Sequence, residues 1–335
     1  MARFFSCFVI IALLALADTS ALAGAPAGFD KYYGSLKTTV KATGFFRVDK
    51  IGEQWWLITP EGHPFFSTGI NVVNMSGTGT SKGVHHYKQA AEKIYGTPEA
   101  WAEAQARRCD KWGWNTIGCW SNWQLFKNRM PYTVLLSVGN HDWLSGKMTD
   151  IFAPEYRLSV RRKVKDTAGP LVNDPWLVGY WLDNEMKWGP DHRGGHLFDI
   201  AFAKPAKSNA TKRTLLAFLE RRYKTIEALQ EDFVTDAETW EELSQSKSLE
   251  SRDTKAAMKT RLDWAGKVAE RFFSVTDEEL RAVDHNHLNL GARFIAQCVP
   301  RPVIAAAGKH VDVMSINYYN WDMLVEMFIQ NLSPD

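Results

Sequence analysis

The chain of 335 residues contains little cysteine and carries little net charge, and each shortage excludes a class of protein. It has four cysteines; Cys7 lies in the N-terminal segment, and Cys109, Cys119 and Cys298 are not spaced like metal ligands. One disulfide among the last three remains possible. A net charge of +2 provides no general basic field for nucleic acid. We therefore expect no nucleic-acid partner, no metal and no cofactor.

Long hydrophobic runs are also lacking, with one exception at the N-terminus. Residues 4–17 are almost wholly apolar, follow Arg3 and precede the small-residue pattern at 21–23. This arrangement is typical of a secretory signal peptide, and the run is shorter than the roughly 20 residues of a transmembrane helix. We predict cleavage near Ala23, a secreted or periplasmic mature protein, and no membrane contact after cleavage.

The sequence lacks the glycine-rich turn of a nucleotide-binding sheet. Gly77 and Gly79 are spaced as in G-x-G-x-x-G, but Lys82 stands at the third glycine position, which disfavours a doubly wound sheet. Continuous apolar runs, typical of strands buried on both faces, alternate with helical patterns such as 98–112 and 154–168. The predicted strands are 64–73, 115–120, 131–139, 176–182, 288–294 and 311–319. We therefore predict an α/β fold of the (β/α)8 TIM-barrel class with about six of eight strands present.

An aromatic-rich segment precedes these strands. Residues 43–59 contain two apolar runs around a turn at 49–52, which predicts a β-hairpin. The predicted organisation is a signal peptide (1–23), an N-terminal extension with the hairpin (24–62) and a partial TIM-barrel catalytic domain (63–335).

Tryptophan, in contrast, is abundant, with 14 residues. Its large flat ring combines an apolar face with a polar edge, and sugar rings stack their C–H faces on such surfaces. A tryptophan-rich chain of this class is therefore a candidate for sugar binding, although most of these rings are expected to fill the core.

Polar side chains cluster where the predicted strands end. A parallel barrel gathers its functional groups at the carboxyl ends of its strands, so we expect these clusters to converge on one site. The clusters are Asn71, Trp120-Ser121-Asn122, Asn140-His141-Asp142, Asp183-Asn184-Glu185 and Asn317-Tyr318-Tyr319.

Glu185 is the best candidate for a catalytic acid. Glycoside cleavage requires one carboxylic acid that protonates the departing oxygen and one carboxylate on the other side of the sugar. The acid must keep its proton near neutral pH, which apolar surroundings favour. Glu185 follows an apolar strand and lies between Trp181 and Trp188, and Asn184 is placed to bond a sugar hydroxyl. The alternative is an ion pair between Glu185 and Lys187 at the rim.

The sequence around Asn184-Glu185 resembles clan A glycoside hydrolases, which are retaining enzymes on (β/α)8 barrels. Residues 44–74 and 176–189 are similar to parts of agarase-type β-galactanases, and residues 223–243 to a segment of the β-galactosidases of that clan. Residues 311–321 resemble the sixth strand of the clan. The resemblance implies that Glu185 is the general acid/base, that Asn184 contacts a sugar 2-hydroxyl, and that Tyr318, or else Tyr319, orients the nucleophile.

The same resemblance implies which residues line the sugar subsites. They are Asn71, Trp120, His141, Asp183, Trp188, Asn317 and Trp321. Trp143 is also assigned to the cleft, whereas Trp55, Trp56, Trp101, Trp176 and Trp264 are predicted to be core or packing residues.

The nucleophile of the clan, a glutamate at the end of strand seven, has no counterpart that we can identify. Glu326 is the only later glutamate, and it lies in a helical pattern. We expect strands seven and eight and the nucleophile to be missing from this chain, as in a fragment, and the isolated chain to hydrolyse glycosides poorly.

The resulting hypothesis is a secreted retaining glycoside hydrolase whose partner is a β-linked galactan polysaccharide or oligosaccharide, such as agarose. One alternative is a related clan A enzyme that acts on another β-linked glycan, such as a β-galactoside or a mannan. Another is a non-catalytic glycan-binding barrel.

Overall fold

The structure is a computed structural model that describes residues 24–77, 83–139, 149–189, 196–295 and 299–319. The predicted signal peptide and the predicted site residues His141 and Trp321, together with Trp143, lie outside the described residues. Within the described ranges, no helix has both the length and the apolar character that crossing a membrane requires.

The described residues contain twelve short strands in four sheets. In chain order they are β1 (Arg47–Ile51), β2 (Gln54–Ile58), β3 (Pro64–Phe65), β4 (Gly69–Ile70), β5 (Thr116–Ile117), β6 (Tyr132–Leu135), β7 (Leu177–Trp181), β8 (Phe233–Val234), β9 (Glu250–Ser251), β10 (Leu288–Asn289), β11 (Phe294–Ile295) and β12 (Ile316–Asn317). β8 and β9 form a small antiparallel ribbon of their own.

The N-terminal hairpin is present, formed by the antiparallel strands β1 and β2. Its turn falls at Gly52, which has a φ of +63°, rather than over residues 49–52 as a whole. The single predicted strand over 64–73 is wrong, because its first part, β3, pairs antiparallel with β2 and its second part, β4, pairs parallel with β5. A continuous apolar run does not reveal that the hydrogen-bonding partner changes partway along it.

A parallel sheet of five strands lies at the centre of the fold, in the order β10-β7-β6-β5-β4. Each strand thus lies next to the strand of this sheet that follows it in the chain, with the separate ribbon of β8 and β9 inserted between β7 and β10, and the pairs are parallel as predicted. β11 and β12 form a separate parallel pair. The sheets are not closed, so the described strands show an α/β fold rather than a complete barrel.

The predicted strand over 288–294 is divided into β10 and β11 by Gly291. Gly291 has a φ of +72°, and a Cβ atom there would lie 3.1 Å from the Val313 carbonyl oxygen. The segment nevertheless stays beside β7, since Leu182 N–H donates to the Gly291 carbonyl and Arg293 N–H donates to the Asp183 carbonyl. This segment therefore connects the five-stranded sheet to β12.

Nine α-helices accompany these strands in the described residues, and two of them match the predicted ranges. They are α1 (His86–Tyr95), α2 (Pro98–Trp112), α3 (Pro154–Ala168), α4 (Leu197–Phe202), α5 (Ala210–Tyr223), α6 (Ile226–Gln230), α7 (Trp240–Gln245), α8 (Lys255–Val283) and α9 (Arg301–Ala307). α2 begins after Thr97, whose hydroxyl accepts from the Ala100 N–H, and ends at the left-handed Gly113.

Two hydrophobic cores cover the two faces of the parallel sheet. The larger packs Tyr180 of β7 with helix residues such as Phe272, and the smaller packs Val178 of β7 with Tyr32 and Phe46 of the N-terminal segment. The N-terminal segment thus shares a core with the sheet. Trp55 is an exception to the predicted packing tryptophans, because it is 67% exposed on the hairpin.

Asp284 anchors the start of the segment that leads into β10. Its carboxylate accepts hydrogen bonds from the Tyr180 hydroxyl (2.7 Å), the His287 ring (2.7 Å) and the Asn286 N–H (2.9 Å). Burial acts to raise the pKa of Asp284, but the bonds from His287, Tyr180 and Asn286 outweigh it and hold this pKa below its usual value of 3.8. The charged form is therefore part of the folded state.

Replacing Asp284 with Asn is expected to lower the free energy of unfolding at pH 7 by about 2 kcal/mol, because several charge-assisted hydrogen bonds are weakened. Since the folded pKa is depressed, this difference should be fully present above pH 3.8 and shrink as the pH falls through the lower folded pKa. Urea unfolding across this pH range measures it. The exposed Asp253→Asn is the control, and a difference that does not diminish in acid would contradict the assignment.

Candidate active site

The carboxyl end of β7 carries the predicted acid. β7 ends at Trp181, and Asn184 and Glu185 follow it at the edge of the sheet. Asn184 forms an isolated parallel bridge with Arg293, and the Glu185 N–H donates to the Arg293 carbonyl oxygen (2.9 Å). The half-buried Glu185 is thus held to the neighbouring segment by its backbone.

Asn317, from β12, brings a second strand to the same place. Its Nδ2 donates to Glu185 Oε1 (2.8 Å) and lies 3.2 Å from Asn184 Oδ1. Asn317 is only 9% exposed, so this amide is held in place by its surroundings. The structure therefore brings together three of the predicted site residues.

Arg293 also belongs to this group, and the sequence analysis missed it. Its Nη1 donates to Asn184 Oδ1 (3.0 Å), and its guanidinium lies 4.9 Å from the ring centroid of Trp120 and 5.9 Å from that of Trp181. Its position is a signal that the sequence contains, because Arg293 is the next-to-last residue of the predicted strand over 288–294, close to the carboxyl end where a parallel barrel gathers functional groups.

Left-handed backbone conformations recur along this edge of the sheet. Val72, Trp120, Ser137 and Glu185 have φ values of +62°, +58°, +53° and +48°, and they follow β4, β5, β6 and β7 in turn. Such values are uncommon in residues other than glycine, and in a β-branched residue they are outliers. Because backbone strain concentrates at functional sites, the repetition supports this edge as the site.

Two of the predicted sugar contacts hold the backbone of this edge. Asp183 is 3% exposed; its Oδ1 accepts from the Asn184 N–H and its Oδ2 from the Gly139 N–H, both at 2.8 Å. Asp183 therefore links the ends of β6 and β7, and its contact with a sugar stays a prediction. Asn71 remains exposed, but its Oδ1 accepts from the Cys119 N–H (2.9 Å).

Trp188 does not line a cleft, contrary to the prediction. It is 2% exposed and stacks on Phe273, with ring centroids 5.6 Å apart, while Phe272 and Phe294 contact it edge-on. The chain turns at the left-handed Glu185, and residues 186–189 after it are buried.

The other aromatic candidates are accessible. Trp120 is 46% exposed at the end of β5, which leaves part of its ring available as a surface for a sugar. Tyr318 is half-buried and Tyr319 is 81% exposed, and both follow Asn317 at the end of β12.

A groove of about 560 Å³ lies beyond the end of β4, lined partly by Val72, Asn74 and Tyr87. Asn74 Nδ2 lies 3.5 Å from the Trp120 carbonyl oxygen, so this groove adjoins the candidate site. A larger groove of about 1120 Å³ lies among α4, α5 and α7, and none of the described site residues lines it. The functional groups of the candidate site therefore lie beside the smaller groove and away from the larger one.

Asp30, Glu61 and His63 bring together three groups of a kind that bind metals. The Asp30 carboxylate already accepts from the Thr59 hydroxyl (2.5 Å) and from the N–H groups of Tyr32 and Gly34, and it contacts the His63 ring (2.7 Å). These bonds explain the cluster as a link between the N-terminal turn and the hairpin.

Cys109 and Cys119 are buried free thiols, and burial raises the pKa of both.

Comparison with known proteins gives a consistent set of relatives, although no family model matches the chain. The chain is 26% identical over 356 residues to Beta-agarase B of Vibrio sp. (strain JT0107), an alignment that covers 85% of this chain and 37% of that protein. The fold is shared with the crystal structure of an agarase (TM-score 0.80, 24% identity) and with that of an exo-beta-agarase (TM-score 0.78, 22% identity). Each structural match covers 92% of this chain and 54% of the other. The chain thus spans about a third to a half of the length of these agarases, whose fold it shares.

Proposed function

We propose that the chain belongs to a secreted glycoside hydrolase that cleaves β-linked, agarose-like galactan with retention of configuration, and that Glu185 is its general acid/base. The observation that carries the proposal is the contact of Asn317 from β12 with Asn184 and Glu185 at the carboxyl edge of the sheet. The similarity to agarases supports the choice of substrate.

The hydrogen bond from Asn317 suggests how Glu185 handles a proton. Because an N–H donates to Oε1, Oε1 acts as an acceptor, and a carboxylic acid at this position carries its proton on Oε2. The acid gives that proton to the glycosidic oxygen as the bond to the anomeric carbon breaks. The resulting carboxylate later takes a proton from the attacking water.

Retention requires a second carboxylate, about 5 Å from the first, that attacks the anomeric carbon in the first step and is displaced by water in the second. None of the described carboxylates is assigned to this role. We propose that Asn184 forms a hydrogen bond with the sugar 2-hydroxyl and that the sugar ring stacks on Trp120. Tyr318 is proposed to contact the nucleophile.

We also propose that β4, β5, β6, β7, the segment of β10 and β11, and β12 form an arc of a (β/α)8 barrel. The supporting observation is that strands adjacent in the chain are adjacent in space, whereas a doubly wound sheet reverses its strand order at a switch point. The N-terminal extension would then close the inner face of this arc, where it packs against Val178 and Leu288.

The substrate is tested by incubating a form of the protein that contains the second carboxylate with agarose, a β-1,4-galactan, a β-mannan and lactose, and following the products by proton NMR. We expect release of galactose-terminated oligosaccharides from agarose, with the β-anomer appearing first because two displacements retain configuration. Preferential cleavage of mannan or lactose would contradict the substrate assignment. Saturable agarose binding that is unchanged in Glu185→Gln, without turnover, would indicate a non-catalytic binding protein.

A further inference from the structure

Arg293 joins parts of the candidate site that come from different strands. It lies between β10 and β11, is 8% exposed, and contacts the Asn184 side chain after β7 and the Trp120 ring after β5. Its backbone also pairs with Asn184 and accepts the Glu185 N–H. One side chain therefore connects the amide and the aromatic ring that are proposed to meet the sugar.

The contact with Asn184 determines how that amide is turned. Asn184 Oδ1 accepts from Arg293 Nη1 (3.0 Å) and from Asn317 Nδ2 (3.2 Å). An amide oxygen has two lone pairs, so these two donors use both acceptor positions and fix the amide plane. The Asn184 Nδ2 group consequently points away from Arg293 and Asn317, in the orientation that a donor to a ligand requires.

The contact with Trp120 restrains the ring in the same way. A planar guanidinium stacks on an indole face through cation–π attraction, which a lysine ammonium provides with less geometric definition. Trp120 has a φ of +58°, a conformation that persists only when its surroundings hold it. Trp181 lies 5.9 Å from the same guanidinium, so Arg293 has aromatic neighbours from two strands.

We propose that Arg293 is a positioning residue for sugar binding, which fixes the Asn184 amide and the Trp120 ring in the orientation that a galactan unit meets. This role rests on the proposed function, but the orientation of Trp120 is a property of the protein alone. The role is distinct from catalysis, because Arg293 acts through Asn184 and Trp120.

The first test measures the Trp120 ring without any ligand. Protein labelled with 5-fluorotryptophan gives one fluorine NMR signal for each tryptophan, and the Trp120 signal is identified by its loss in Trp120→Phe. We expect Arg293→Met to shift and broaden this signal and Arg293→Lys to do so partially. A Trp120 signal that is unchanged in Arg293→Met overturns the proposal.

The second test measures binding of an agarose-derived tetrasaccharide by calorimetry. Arg293→Met should raise the Kd about tenfold, as expected for one misplaced hydrogen bond and a less ordered stacking surface. In a variant that already carries Asn184→Ala and Trp120→Phe, the same change should have little further effect. An undiminished effect in that background would contradict a role through these two residues.

Arg261 provides a matched control on another element. It is also buried (9% exposed), pairs with Asp199 through both terminal nitrogens, and lies 5.1 Å from the Phe198 ring, but it belongs to α8. Arg261→Met should leave the Trp120 signal and the Kd unchanged. If Arg261→Met and Arg293→Met changed the Trp120 signal and the Kd equally, the effect would be a general consequence of losing a buried arginine, and the specific role of Arg293 would be contradicted. Failure of the unsubstituted protein to bind the tetrasaccharide would count against the proposed function, while the fluorine signal would still decide the role of Arg293.

Discussion

Replacing Glu185 with Gln, in a form of the protein that contains the second carboxylate, is expected to lower kcat for agarose hydrolysis by roughly a hundredfold to ten-thousandfold, the contribution of a positioned general acid. The amide has no proton to give to the departing oxygen, but it keeps the size of Glu185, and Asn317 can still donate to its carbonyl oxygen. The Kd for an agarose tetrasaccharide should therefore change little. Reducing-end assays and calorimetry measure the two quantities separately.

The leaving group provides the control for this interpretation. A dinitrophenyl glycoside releases an anion that is stable without protonation, so its cleavage step should lose much less rate in Glu185→Gln than that of agarose. Glu250→Gln, which changes an exposed glutamate on β9, should leave both substrates unaffected. Equal losses on both substrates, or normal agarose turnover in Glu185→Gln, would exclude Glu185 as the acid.

Replacing Trp188 with Ala is expected to lower the free energy of unfolding by about 3–5 kcal/mol, the usual cost of removing a large buried aromatic ring. The ring is 2% exposed and is enclosed by Phe272, Phe273 and Phe294, so its removal leaves a cavity in the larger core. Denaturant unfolding followed by circular dichroism measures the change.

Two other tryptophans make this prediction specific. Trp55 is 67% exposed, and Trp55→Ala should change the free energy of unfolding by less than about 0.5 kcal/mol. Trp120→Ala should weaken tetrasaccharide binding with a small effect on stability. If Trp188→Ala instead left stability intact and abolished binding, the assignment of Trp188 to the core would be wrong.

The helices were the part of the fold that the sequence specified best. α2 has a threonine cap, a proline at its first position and a glycine at its end, and these local signals act within one turn of the helix. The range of α3 was likewise predicted. The strands were less well specified, because β3 and β4 form one apolar run whose halves bond to different partners. Pairing is set by distant segments, which periodicity does not show.

For the candidate site, the meeting of strand ends could be predicted from the sequence, whereas the direction of individual side chains could not. Asn184, Glu185 and Asn317 come together because the ends of parallel strands meet at one edge, which is a rule of topology. The family resemblance implied that Trp188 and Asp183 line the sugar subsites. Their side chains are buried, and a single left-handed residue at position 185 was enough to change the direction of the chain after it.

The row of left-handed residues after β4, β5, β6 and β7 has a consequence for engineering. Each such conformation costs on the order of 1–3 kcal/mol in a residue other than glycine. A search for heat-tolerant variants would therefore select Val72→Gly or Trp120→Gly, because glycine adopts the left-handed conformation without this cost. Those gains would alter the candidate site itself, so stabilising substitutions that leave this site unchanged are better sought on the outer helices.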